Sequence, residues 1–526
     1  MNDKKICFIT CVNDEEMYRE SVLYIKHLFL PEKFEIDFIA IRTAKCLTKS
    51  YNQAMRQSDA KYKVYLHQDV FIVNKNFIRD ILNVFQQHEE IGMLGVAGTE
   101  KMPPVGFWWQ SDFACQHVSI YDNASGKMNK VENLNCLGDY AKVTVIDGLI
   151  MATQYDVAWR EDIFDGWHFY DMSQSIEFLK AGYQVVVPNQ AEPWCIHECG
   201  YLNLDKEYEK YRNIFLDEYS SYVFPLVSIL IPTYNRPEYF KIAFESAIHQ
   251  TYRNIEVIVC DNSTNEETAH IMEPYLDNPR VTYLRNRDAK TKEENFQVFK
   301  EIVKGEYINW LMDDDVLDPN KIAIMMQLYL EHDEVSLITS CRQWIDAEGS
   351  AIESRILKLD CERTTSFNGR EIGKKMLLTM ANFIGEPTTV LIRRSLLEHH
   401  YWNADCRGYK VISDVVMWLE LLSKGKMVYI AEPLSSFRSH QGQEQAGINV
   451  VLLSRIEWFE ITKEAYEIGY FIETLDEYKL ALICLLKDSV GFLKALAELK
   501  NELDIKLYRR YKAILREAVK FMSECT

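Results

Sequence analysis

Val227-Ser228-Ile229-Leu230-Ile231-Pro232-Thr233-Tyr234-Asn235-Arg236 is an apolar run that breaks into a polar turn. Ile6-Cys7-Phe8-Ile9-Thr10-Cys11-Val12-Asn13 has the same form near the start of the chain. Working outward from each, Val64-Tyr65-Leu66-His67-Gln68-Asp69-Val70 matches Asn309-Trp310-Leu311-Met312-Asp313-Asp314-Asp315-Val316. Both are apolar strands running into an aspartate, and both precede a helical stretch, Asn76 to Phe85 and Asn320 to Leu330. Asp171, Glu177 and Gly182 then recur as Asp414, Glu420 and Gly425, an offset of 243 each time. Finally Ala191-Glu192-Pro193 recurs as Ala431-Glu432-Pro433, each followed by a histidine, His197 or His440. Four landmarks in one order, with offsets between 222 and 246, imply two copies of one fold.

Within each copy, short β-rich runs alternate with amphipathic helical stretches, which predicts an α/β domain with a mainly parallel sheet. In the second copy the expected strands are Val227–Ile231, Ile255–Cys260, Val281–Leu284 and Tyr307–Met312. Pro237 to Gln250 reads as a helix with proline in its first turn. The expected domains are residues 1–218 and 222–445, with the seam near Tyr219-Ser220-Ser221-Tyr222, and a helical region over 446–526. In that last region Leu482, Leu485, Leu486, Val490, Leu493 and Leu496 follow helical spacing, and Tyr508 to Phe521 is basic and amphipathic. It reads as a bundle packed on the second domain, or as a basic face for peripheral membrane contact or a partner.

A chain of 526 residues is too long for one core. Its formal charge of −19 argues against a nucleic-acid partner, while leaving room for one anionic substrate held by a metal ion. No stretch reaches the roughly 18 uncharged apolar residues of a membrane span. The start lacks the pattern of a signal peptide. The expected location is the cytoplasm, or the inner face of the membrane. The thirteen cysteines include no Cys-x-x-Cys pair, so neither a zinc ribbon nor a thioredoxin-type site is indicated. Cys195-Ile196-His197-Glu198-Cys199 reads as a metal cluster or, more simply, as small buried thiols around a histidine.

In open α/β sheets, ligands bind beyond the carboxyl ends of the strands. Asp313, Asp314 and Asp315 stand at such an end. Three adjacent carboxylates repel one another unless a cation neutralises them, and oxygen ligands suit Mg²⁺ or Mn²⁺. A solvated acidic turn is the alternative. Asp171 and Asp414 also suit a helix start for macrodipole reasons alone. His197 and His440 read as metal or diphosphate ligands, or as hydrogen-bonded structural residues. Trp108-Trp109 and Trp167 read as sugar platforms or as core aromatics.

The second copy resembles the family 2 glycosyltransferases of the GT-A fold, a Rossmann-like nucleotide-diphospho-sugar transferase architecture. The likeness rests on Val227 to Arg236, Val257-Ile258-Val259-Cys260-Asp261-Asn262-Ser263-Thr264, Asp313-Asp314-Asp315, and Ser413-Asp414 heading a helix with Trp418. It implies that Thr233 and Asp261 contact the base, with Asn235 also on the nucleotide sugar. It further implies that Asp313 and Asp314 face ribose and diphosphate, that Asp315 holds the metal, and that Asp414 is the catalytic base. Cys260-Asp261 and Ser413-Asp414 stand where that family usually has Asp-Asp and Glu-Asp. The first copy is similar to the StrF-type glycosyltransferase-like family. It is so through Leu66-His67-Gln68-Asp69-Val70, Asp147-Gly148-Leu149-Ile150-Met151-Ala152, Asp165 to Asp171 and Trp194-Cys195-Ile196-His197. There Asp69 stands where Asp315 stands, His67 and Gln68 replace the two preceding acids, and Arg42-Thr43 replaces the base-reading Asp261. Asp69 with His197 is the expected metal pair, and Asp171 the expected base.

These likenesses imply two tandem GT-A domains plus a helical C-terminal region. They imply a bifunctional inverting glycosyltransferase using a UDP-sugar or related donor, Mn²⁺ or Mg²⁺, and a glycan, glycolipid or glycoprotein acceptor of a bacterial surface. The alternatives are a single-activity transferase whose first copy only binds acceptor or is structural, and a nucleotidyltransferase. No glycine-rich loop with a following basic residue succeeds either first strand, which speaks against the last.

Overall fold

A computed structural model of the chain describes residues 1–122, 125–133, 138–199, 204–352, 359, 361–397, 408–440, 447–498 and 503–524. The chain divides into two compact units, Met1–Phe224 and Pro225–Thr526. Tyr219 to Tyr222, read from sequence as the seam, lies inside the helix Lys206–Val223, so the change-over comes just after that helix ends.

In the second unit one sheet runs in the order Val281–Arg285, Ile255–Asp261, Val227–Thr233, Tyr307–Trp310, Leu391–Arg393, Val335–Ile345, Lys426–Arg438 and Val316–Leu317. Val227–Thr233 and Ile255–Asp261 are buried along their whole length, which is why they read as unbroken apolar runs rather than alternating ones. Their neighbours on either side are parallel, and Leu391–Arg393 alone runs against both of its own. The predicted helix forms as Pro237–Ile248 with Pro237 in its first turn, where a missing N–H costs nothing.

The first unit repeats the order from the second strand to the seventh and ends on a different edge strand: Glu35–Ile41, Asn2–Cys11, Ala60–Leu66, Ile150–Thr153, Ile91–Gly95, Gln184–Pro188 and Tyr140–Lys142. Here Ile150–Thr153 takes the place of Leu391–Arg393 and is likewise antiparallel to both neighbours. The copies differ after Ala-Glu-Pro. In the second unit Ala431 to Pro433 is an irregularity inside one continuous strand, Lys426–Arg438. In the first, the chain leaves the sheet at Pro188, passes Ala191 to Pro193 and starts a new strand, Cys195–Cys199, in a second sheet beside Ala114–Asp122 and Val70–Ile72.

The C-terminal helices Ile448–Ile468, Leu475–Glu498 and Ile505–Glu524 share the second unit's core: Ile456, Phe459, Leu482, Leu485, Tyr511 and Ile514 are buried with Trp418, Leu421 and Met376. The apolar side of the basic helix is thus spent inside the protein. Among the described residues no helix is long and apolar enough to cross a membrane.

Candidate functional site

The second unit's site begins with three neighbouring strand ends. Thr233, Asp261 and Arg285 lie in register across adjacent strands. Asp261 is fully buried; it accepts from Ser263 N at 2.8 Å and from the Tyr283 hydroxyl at 2.7 Å, and it is paired with Arg285. Arg285 also donates to the Ser263 and Asn265 carbonyls, fixing the loop that follows. Asn235 sits at φ 52°, a left-handed conformation that asparagine tolerates, and accepts from Thr264 N at 2.8 Å. The turn after the first strand is thereby tied to the turn after the second.

Asp313, Asp314 and Asp315 follow the strand Tyr307–Trp310 and are all buried. Arg236 donates to Asp313 at 3.2 Å and to Asp314 at 3.1 Å, Tyr234 N donates to Asp313, and His440 Nε2 is 3.0 Å from Asp314. Asp315 takes the Thr388 hydroxyl at 2.6 Å and Arg438 N at 3.1 Å. Burial, then the adjacent Asp314, pushes the Asp313 carboxyl up to about 6. The same two causes push Asp315 up as well. Two buried carboxyls raised in this way, with a third beside them, are a set that a hard dication would relieve, so these residues fit Mg²⁺ or Mn²⁺. They do not form a closed cage, however. Among the described residues, Asp315 and His440 belong to no set of three ligand atoms within 4.8 Å of one another. That suits an ion completed by a substrate's phosphates.

Asp414 is the second residue of the helix Ser413–Lys424. Its carboxylate accepts from Val415 N at 2.8 Å and from Asn382 Nδ2 at 3.2 Å. Burial raises it to about 7, with Glu386 adding to the rise and Lys292 opposing it. Glu386 also acts on Asp315 and lines one small pocket with it, so a fifth carboxylate stands between strand end and helix start. Arg342 holds Glu386 at 2.9 Å. The Trp418 indole donates to Gly385 O at 3.0 Å, and buried Lys321 to Thr389 O at 2.7 Å, pinning the loop. Glu457, from the helix Ile448–Ile468, accepts the N–H groups of Lys410, Val411 and Ile412 at 2.9, 2.9 and 3.0 Å, just ahead of the Asp414 helix. None of Tyr283, Arg285, Glu386, Thr388, Asn382 or Glu457 was singled out by sequence reading. Only their spatial convergence marks them, and Glu457 lies in the helical C-terminal region.

In the first unit Asp171 repeats the position of Asp414. It is the second residue of Tyr170–Lys180, accepts from its own next amide, Met172 N, at 2.9 Å, and is raised to about 7 by burial and then by Asp147. Its other oxygen takes Gly148 N at 2.8 Å. A Cβ at Gly148 would lie 2.1 Å from the Tyr170 hydroxyl, so only glycine admits this approach. Asp69 and His197 come together, Oδ1 to Nε2, at 3.6 Å. His67, read as a replaced acid, joins them at 3.9 Å. Gln68 instead binds Asn13 N and Asp14 N, tying down the first-strand turn as Asp313 does through Tyr234 N. Arg42 is engaged by Glu15. Cys195 is buried, and neither it nor Cys199 joins the ligand cluster. Trp108 is a core residue, whereas Trp167 is exposed.

Residues 7–219 match the family described as "Glycosyltransferase like family", and residues 228–401 match "Glycosyl transferase family 2". An uncharacterized glycosyltransferase of Rickettsia prowazekii is 38% identical over 219 residues, 42% of this chain and 65% of that protein. Chondroitin synthase of Escherichia coli is 30% identical over 131 residues, 25% of this chain and 19% of that one. The chain therefore spans less than two thirds of these relatives' lengths. Among solved structures, S. aureus TarS overlaps with a TM-score of 0.40 at 13% identity, over 56% of this chain and 49% of that one, too slight an overlap to say anything of ligands. Two matches end to end place the chain among the glycosyltransferases twice over, as a glycosyltransferase-like domain followed by a family 2 domain.

Proposed function

We propose that the chain is a bifunctional inverting glycosyltransferase, each unit moving a sugar from a nucleoside diphosphate sugar to an acceptor hydroxyl. The observation that carries this is the recurrence, in both units, of a buried aspartate at a helix start raised to about 7 together with an aspartate beyond a strand end, Asp315 or Asp69. A general base works best with a pKa near the operating pH, and Asp414 and Asp171 both sit near 7.

In the second unit the Thr233–Asp261–Arg285 row receives the base of a donor such as a UDP-sugar. Asn235, Asp313 and Asp314 hold its ribose and diphosphate side. Asp414 takes the proton of the acceptor hydroxyl while the acceptor oxygen bonds to the anomeric carbon. The bond from that carbon to the diphosphate oxygen breaks on the opposite face, so the configuration inverts. Asp171 plays this part in the first unit. Asp315 with His440, and Asp69 with His197, would hold Mn²⁺ or Mg²⁺, and such an ion would supply Lewis-acid neutralisation of the leaving diphosphate.

The relatives' names support glycan assembly, and the acceptor is proposed to be a glycan, glycolipid or glycoprotein of a bacterial surface, reached in the cytoplasm or at the inner face of the membrane. Peripheral membrane contact through the C-terminal helices would use their charges and scattered exposed side chains such as Leu480 and Val490, because most of the apolar surface packs inward. A second reading, with a non-catalytic first unit, is favoured by one observation: Arg42, at the base-reading position, is engaged by Glu15.

The test is transfer from a panel of nucleotide sugars by wild type, Asp414→Asn, Asp171→Asn and the double variant. Two activities lost separately support the bifunctional reading. Loss of all turnover in Asp414→Asn alone supports the second. Unchanged turnover in the double variant would remove both.

A further inference from the structure

Among the described residues the first unit gathers three potential ligands, as the second does not: His67, Asp69 and His197 each offer one ligand atom, all within 4.8 Å of one another. They come from two elements. His67 and Asp69 lie between the strands Ala60–Leu66 and Val70–Ile72, and His197 lies on Cys195–Cys199, opposite Val70 in the antiparallel register. The separations from Asp69 Oδ1, 3.6 Å to His197 and 3.9 Å to His67, are too long for hydrogen bonds. They are close to the edges of a coordination polyhedron with bonds of about 2.1 Å, which run from about 3.0 to 3.4 Å. Among the described residues Asp69 Oδ1 is buried and accepts no hydrogen bond, the state of an oxygen left waiting for a ligand.

His67 carries a further mark. Its Nε2 is 2.6 Å from the Tyr170 hydroxyl. An Nε2–H donated to that oxygen leaves the Nδ1 lone pair facing Asp69, the tautomer a metal ligand requires. Tyr170 is itself fixed by the helix that carries Asp171 and by the space Gly148 leaves.

We propose that His67, Asp69 and His197 form a two-histidine, one-carboxylate site for a first-row transition dication, of the Mn²⁺ to Zn²⁺ class, that discriminates against Mg²⁺. Imidazole nitrogens suit such ions, whereas Mg²⁺ takes oxygen and dehydrates reluctantly. The two units then differ in metal chemistry: a nitrogen-rich site built by the protein in the first, and an oxygen-rich one completed by substrate in the second. The proposal deepens the reading above, from which it takes the placing of Asp69 and His197 at a metal, and it does not require the first unit to be catalytic.

The test titrates the full chain carrying Asp315→Ala, which silences the second unit's ion, with Co²⁺ alone, followed by its visible absorption and by calorimetry. One Co²⁺ is expected, with bands of mixed nitrogen and oxygen ligation, held about 10- to 100-fold more weakly after His67→Ala or His197→Ala. A large excess of Mg²⁺ leaves it in place. Should alanine loosen the fold, His67→Asn gives the same reading with a polar side chain retained, and circular dichroism checks each variant. No bound Co²⁺ in the folded Asp315→Ala chain, equal binding after the histidine changes, or displacement by Mg²⁺ overturns the site. Sugar transfer is assayed separately: Co²⁺ bound through these residues without transfer upholds this proposal while removing the proposed function of the first unit.

Discussion

The Thr388 hydroxyl donates to Asp315 at 2.6 Å, and three residues earlier the Gly385 carbonyl receives the Trp418 indole N–H at 3.0 Å. One short loop therefore joins the acidic strand end to the helix that begins with Asp414. Removing its hydroxyl in Thr388→Val takes one partner from a buried carboxylate, a loss of about 1.5–3 kcal/mol for a hydrogen bond to a charged group. The expected result is a melting temperature lowered by several degrees and an apparent Mn²⁺ requirement raised about tenfold, read by thermal unfolding and by metal titration of activity.

Asp414→Asn should lower turnover by about 10²- to 10⁴-fold with the fold intact by circular dichroism. In wild type the rate should rise as pH passes upward through about 7, the value to which burial and Glu386 raise Asp414 against the pull of Lys292. Stability moves the other way. The folded-state pKa lies above the unfolded one, so between about 4 and about 7 the native state binds more protons than the unfolded chain. Asp414's contribution is most favourable below that window and is lost as pH rises through it. Asp414→Asn is accordingly expected to melt higher than wild type at pH 8, and no higher at pH 4.

Arg285→Lys should not substitute for arginine. The guanidinium pairs with Asp261 and also donates to Ser263 O and Asn265 O, a fork that a single ammonium does not reproduce. The donor KM is expected to rise about tenfold or more with kcat little changed, because the proposed part of the row is base binding and not proton transfer. A fall in kcat at unchanged KM would refute that division of labour.

Glu457→Ala leaves three amides ahead of the Asp414 helix without their acceptor. The expected cost is about 1–3 kcal/mol for each amide that water cannot reach. A fall in kcat is expected with it, while donor binding, measured by calorimetry, persists. Glu457→Gln keeps an acceptor oxygen and should recover part of both.

Much of this was legible in the sequence. The buried strands announced themselves as apolar runs, and the repeated Asp171 and Asp414 share even their local bond to the next amide. Strand-end acids were legible because nothing apolar explains three aspartates after Trp310-Leu311-Met312. What stayed hidden lies far apart in sequence and meets only on folding: Asn382 with Asp414, Arg342 with Glu386, Tyr170 with His67. No spacing rule marks such pairs. The placing of His67 stayed hidden for a related reason. Only folding brings His197 beside it, on a strand of another sheet.

The interior that the last three helices share with Trp418 has a practical corollary. Any shortened version of this chain that stops where the family 2 likeness stops, at residue 401, would discard Asp414 together with the helices that share its unit's core. Trimming from the carboxyl end is therefore ruinous almost from the first helix, whereas a cut between Phe224 and Pro225 severs the chain where one compact body gives way to the next.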